Sequence, residues 1–146
     1  MKGCCPINIS PSSPILFFPF STEADQPIVG TSENTVLTLG VSPPSPGAHQ
    51  VKLDSTVELL LLLGNNPNYD ITFRLRRSDL VSPLATLTIS RFLRGNVTGT
   101  HTEIPNLTWN DTIFSAVIYT VTIQIVTAAS VTSVTAQTRS LNAIVF

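Results

Sequence analysis

The sequence predicts an all-β protein: an antiparallel jelly-roll sandwich of about eight strands with an extended N-terminal arm. Three observations carry this. From residue 49 onward apolar and polar residues alternate with period two; the alternating runs are short and bounded by Gly, Pro and Asn; and no stretch joins a helical apolar period to a capping residue at its head. The runner-up is an immunoglobulin-like sandwich, but the two cysteines both lie at the N-terminus and do not bracket Trp109.

Eight of the eleven prolines fall within the first fifty residues. Residues 1–33 therefore read as a connector arm and linker, and residues 34–146 as the jelly-roll domain. "NTVLTLGV" (34–41) reads as a first short strand, and "VSPPSPG" (41–47) as a loop, because proline lacks the donor a sheet ladder needs. In "VKLDSTVELLLLL" Val51, Leu53, Val57, Leu59 and Leu61 point one way, and Lys52, Asp54, Thr56 and Glu58 the other. Leu60 and Leu62 break the polar face, so this end of the strand is expected to be covered on both sides. "GNNPN" (64–68) reads as a turn. Next, Tyr69, Ile71, Phe73 and Leu75 alternate against Asp70, Thr72, Arg74 and Arg76. "LATLTISRF" follows, closed by a turn at Gly95-Asn96; "VTGTHTEI" alternates weakly and "NLTWND" reads as a loop. In "TIFSAVIYTVTIQIV" Val117, Tyr119, Val121, Ile123 and Ile125 are expected inside, and "VTSVTAQTRSLNAIVF" is the last strand.

A net charge of -1 with 12% charged residues gives no electrostatic reason to expect nucleic acid or an anionic membrane as partner. Mean hydropathy is +0.29, and a surface so poor in charge resembles an interface. The apolar run Ile15–Phe18 is too short and too proline-bound for a secretory signal, so export by the usual route is not expected, nor is use of the sequons at Asn8, Asn96, Asn106 and Asn110. Neither metal-ligand spacings, nor a phosphate-cradling glycine loop, nor a nucleophile elbow is found. His49 and His101 read as surface histidines without an acidic or cysteine partner. The expectation is a non-enzyme with no cofactor and no metal.

The arm is the most informative segment. Burying Ile15, Leu16, Phe17, Phe18 and Phe20 is worth ~1.5–3 kcal/mol for each side chain before ordering costs, so something covers them. An extended, proline-stiffened apolar segment suits insertion into a neighbouring subunit, and packing as an edge strand of its own domain is the alternative. Cys4 and Cys5 can pair with each other only through a strained eight-membered ring, and adjacent thiols are well placed to reach different neighbours. Two free thiols in a reducing cytosol is the other reading. Arg74, Arg76, Arg77, Arg91 and Arg94 cluster in two adjacent runs. Arg74 and Arg76 are expected either to lie on a solvated face or to meet Glu23, Asp25 and Glu33 of another copy.

The stretches "VKLDSTVELLLLLGNNPNYDITFRLRR" and "IYTVTIQIVTAASVTSVTAQTRSLNAIVF" resemble the small exosporium jelly-roll proteins of Bacillus-type spores. The cysteine-bearing arm resembles the N-terminal connectors of endospore appendage subunits. The resemblance implies a structural subunit of a spore-surface fibre, made in the mother cell, that self-assembles by inserting its arm into neighbouring copies. Leu60, Leu62, Arg74 and Arg76 are the lateral-interface candidates. It also implies a homo-oligomer, with stacked trimers as one form and other exosporium or anchoring proteins as partners. One departure stands out: the domain has no cysteine to receive the arm's CC pair, so any cross-link joins arm to arm. Two further readings are a discrete trimeric exosporium or tip protein, and a carbohydrate- or receptor-binding module built from the segments 65–68 and 106–111, with Trp109 stacking on a sugar.

Overall fold

Two runs of alternating residues, each 29 residues long, organise the molecule. The structure, a computed structural model, describes residues 14–146. In it β4 (His49–Arg77) and β8 (Val117–Val145) are single unbroken strands, paired antiparallel from Val51↔Val145 at one end to Arg77↔Tyr119 at the other. The remaining strands are β1 (Leu16–Thr22), β2 (Gln26–Pro27), β3 (Asn34–Val41), β5 (Ala85–Phe92), β6 (Gly99–Glu103) and β7 (Asn106–Ile113). Among the described residues there is no helix.

Pairing along the two long strands defines two half-sheets. The C-terminal half of β8 and the N-terminal half of β4 carry β1 on one edge, and β7 with β6 on the other. The N-terminal half of β8 and the C-terminal half of β4 carry β3 and β5. The orders β1-β8-β4-β7 and β3-β8-β4-β5 are those of a jelly roll whose two central strands pass from one sheet into the other. Inward residues of both halves, including Leu53, Leu59, Leu61, Tyr69, Phe73, Tyr119, Ile123 and Leu141, form one core cluster.

The long strands can serve both sheets because they bend at matched irregularities. The run 64–68, expected as a turn, is instead a bulged corner within β4: the register slips between Leu63 and Asn68, and Asn66 takes φ 48°. A corner whose amides find other partners need not reverse the chain. Asn66 N–H donates to Gly95 O at 3.2 Å, Gly95 N–H donates to Asn66 Oδ1 at 2.8 Å, and Leu93 N–H donates to Pro67 O at 3.0 Å. Across the corner on β8, Ser130 takes φ 55°.

Other sequence expectations also change. "NLTWND" lies in β7, not in a loop; on this edge strand only Leu107 and Ile113 are fully inside, so apolar alternation is weak. Leu16–Thr22 takes the alternative to entry into a neighbour and pairs as an edge strand with β8 of its own chain, and Gln26–Pro27 pairs there too. The described part of residues 1–33 thus shares the sheets of residues 34–146. Pro19 is tolerated because β1 is an edge strand. His49 is buried, its Nδ1 3.2 Å from Phe146 O and its Nε2 3.1 Å from Ser45 O. Cys4 and Cys5 lie outside the described residues.

Candidate functional site

The first candidate site is a surface, supplied by the edge strand β1. Its alternation turns Leu16 and Phe18 toward the core, while Ile15 and Phe17 remain 66% and 61% exposed. Phe17 stands opposite Ile144, which stands opposite Lys52, so one outward row crosses three strands. A shallow groove of about 360 Å³ follows that row and the next, from Phe17 over Ile144 and Asn142 to Lys52, Asp54 and Thr108. It is an apolar-to-charged track across the whole β1-β8-β4-β7 sheet. Phe20 at the other end of β1 is also exposed.

Leu60 and Leu62 occupy the same outer sheet surface farther along β4, opposite Thr102 and Thr100 of β6 and Thr135 and Ser133 of β8. The expected cover on both faces is missing within the described chain: Leu60 is half-buried and Leu62 is 42% exposed. Their inward neighbours Leu59, Leu61 and Leu63 fill the core, so the run of five leucines supplies both an inner wall and an outer apolar spot.

Within the chain Arg74 and Arg76 engage Glu33, one of the carboxylates that the sequence offered as partners on another copy. Arg76 donates from Nε and Nη2 to Glu33 Oε2 and Oε1 at 2.8 and 2.7 Å, a two-pronged pair. Arg74 Nη1 is 3.1 Å from Glu33 Oε1, and Thr122 donates its hydroxyl to Oε2 at 2.8 Å. The Arg76 hydrogen bonds hold the Glu33 carboxyl down at about 2, against the opposing pull of partial burial, with Thr122 and the two guanidinium charges adding to the lowering. Gln124 Nε2 donates to Thr31 O at 2.9 Å, so the segment before β3 is pinned across the outer face of β4 and β8.

Two tyrosine latches join the sheets. Tyr119 of β8 donates to Asp111 Oδ2 on β7 at 2.8 Å, and Arg77 Nη1 reaches both oxygens of the same carboxylate at 2.9 and 2.8 Å. Tyr69 of β4 donates to Glu103 Oε1 on β6 at 2.9 Å, and Arg91 of β5 donates to it at 2.8 Å. His101, expected without an acidic partner, has Nε2 3.2 Å from the same oxygen. Burial and the adjacent carboxylate push both phenols well above their usual range, so they stay protonated donors. The Glu103 carboxyl stands below its ordinary value: burial opposes the lowering, but the Arg91, Tyr69 and His101 hydrogen bonds outweigh it. These are structural clamps, and sequence reasoning missed them because the pairs are 34 and 8 residues apart and meet only across the sandwich.

The segments proposed for a sugar site do not converge. Trp109 is 40% exposed on β7, opposite Leu53, whereas residues 65–68 sit at the β4 corner more than ten residues along the strand, roughly 35 Å away at the usual rise. Among the described residues no group of three His, Cys, Asp or Glu side chains could hold a metal ion.

No family model matches the chain, and no curated relative does. Solved structures with a similar chain course come from infectious bursal disease virus. The VP2 subviral particle superposes with a TM-score of 0.48 at 12% identity, covering 94% of this chain and 36% of that one. The Gx strain structure gives 0.41 at 10% identity, covering 91% and 32%, and the Gt strain structure 0.33 at 11%, covering 98% and 37%. The chain spans about a third of the length of these viral chains. It is the strand pairing described above that defines the fold.

Proposed function

We propose that the protein is a structural subunit of a self-assembling fibre on a spore surface, of the endospore-appendage type, which associates through the outer face of the β1-β8-β4-β7 sheet. The observation that carries this reading is the outward Phe17 on the edge strand β1, with exposed Ile15 just before the strand, at the head of a groove that crosses all four strands. Large apolar side chains so placed are a cost in water and a gain against a second copy. Leu62 extends the apolar character of that face, and the low charge of the chain suits close lateral packing. In this reading the segment preceding β1, with Cys4 and Cys5, passes to the next subunit, and a head-to-tail contact of that kind propagates without closing. The subunits are made in the mother cell and assembled on the spore from that side.

The test is electron microscopy of the full-length protein beside a variant lacking residues 1–13, each with and without reductant. That deletion spares β1, whose removal would take away one of the two strands paired with residues 139–145 of β8 and confound the result. Filaments in the full-length protein alone support arm-dependent polymerisation, and their dissolution by reductant assigns the seal to Cys4 and Cys5. Identical discrete particles in all four samples refute the fibre reading and leave a discrete surface protein.

A further inference from the structure

A buried arginine that no clamp uses marks a second site. Alternation on the C-terminal half of β8 puts Val134 and Ala136 inside, and unbroken alternation would put residue 138 inside next. A bulge intervenes: β4 advances two residues from Val57 to Leu59 while β8 advances three, from Arg139 back to Ala136. The parity flips, and Arg139 points inward in line with Leu141, Ala143 and Val145. Bulges commonly re-aim a side chain toward a functional position.

Arg139 is only 4% exposed. Its Nη1 donates to Ala136 O at 2.6 Å, which caps a carbonyl at the bulge, but its Nε finds no acceptor among the described residues. No carboxylate lies within ion-pair distance of it among the described residues. Asp25 contributes a favourable field from farther off while its Oδ1 accepts from Gln137. Residues 1–13 contain no Asp or Glu, so they hold no carboxylate side chain to complete the pair. A buried, unpaired guanidinium is among the costlier arrangements in a fold.

Arg139 lines a cleft of about 470 Å³ at the seam where the edge strands β1 and β3 of the two sheets meet. Phe20 and Leu37 give the cleft apolar walls, and Thr22, Thr35 and Thr38 give it hydroxyls. β3 carries its own bulge, between Thr35 and Leu37, so both walls of the seam are irregular.

We infer that this seam is a carboxylate-binding site, with the Arg139 guanidinium as its anchor and the threonine hydroxyls as secondary donors. The planar guanidinium fork matches a carboxylate edge. A single positive charge with Asp25 nearby suits a monoanion better than a dianion, so phosphate, partly dianionic at neutral pH, serves as the contrast. The carboxylate has two possible sources: a small organic acid in solution, or an acidic side chain of a second copy.

The experiment is NMR of the full-length protein labelled with [15N]arginine, with the Arg139 Nε–H assigned through bonds so that no variant is needed. Sodium acetate is titrated against sodium chloride and sodium phosphate at equal ionic strength, at two protein concentrations. A saturable downfield shift with acetate alone, independent of protein concentration, supports a free organic acid. A downfield Nε–H in concentrated protein that reverts on dilution and is restored by acetate supports the carboxylate of a second copy. A resonance insensitive to acetate and to dilution, or one that responds equally to chloride or phosphate, overturns the inference. As a second readout, acetate raises the Tm of the wild-type protein but not that of Arg139→Lys; an equal rise in both counts against it.

Discussion

Glu33→Gln isolates the clasp that holds the segment before β3 against the sheet. The Glu33 carboxyl sits at about 2 when folded, against an ordinary 4.5, chiefly because Arg76 grips both of its oxygens. That lowering corresponds to roughly 3 kcal/mol of linkage, and solvent screening at this partly exposed pair reduces it to about 2 kcal/mol. The folded pKa lies below the unfolded one, so the folded state binds fewer protons. The contribution is therefore complete above pH ~4.5 and is lost as the pH falls through about 2. Urea unfolding of wild type and Glu33→Gln should differ by about 2 kcal/mol at pH 7, or about 4–8 °C in Tm for a chain of this size, and converge near pH 2. Taking the difference between the two proteins removes the titration of Glu103, common to both. A difference that does not change with pH would refute the linkage. A difference that grows with protein concentration would show that the clasp forms between copies and not within one.

Tyr119→Phe and Tyr69→Phe each remove a hydroxyl that hydrogen-bonds a carboxylate across the sandwich, and each should lower unfolding free energy by about 1.5 kcal/mol in urea titrations. No measurable loss in either would mean the latches do not join the sheets. Phe17→Asp should abolish filaments in the microscope yet change stability by less than about 0.5 kcal/mol, because the ring is exposed in the single chain. Filaments that persist would remove β1's outer face from the assembly surface. Asn66→Ala should cost about 1–2 kcal/mol, since alanine resists the positive φ and the Gly95 amide loses its acceptor. Replacement by glycine, which accepts the φ, should recover part of the loss.

The sequence alone determined the class of fold and most inward residues of the long strands; Ile125, expected inside, is only partly buried, and Thr72, expected on the outward face, is buried. Period-two burial is a local property: Val51 to Leu61 and Tyr69 to Leu75 face the core because neighbouring residues on a strand must alternate, whatever the partner strand. The sequence also marked the run Ile15–Phe20 as apolar, of which Leu16 and Phe18 pack against the core while Ile15, Phe17 and Phe20 stay exposed in the single chain. Only the tertiary structure decided that residues 64–68 form a corner and not a turn, because the acceptors and donors that relieve the corner come from the 93–97 loop. The same holds for Glu33, which meets Arg74 and Arg76 more than forty residues away along the chain, and for the two tyrosine latches. Arg139 shows the difference most clearly. Strict alternation from Ala136 would have placed it outside, and a one-residue bulge, fixed by the register of β8 on β4, turned it into the seam. Alternation is written in the chain one residue at a time. Register depends on all the strands at once.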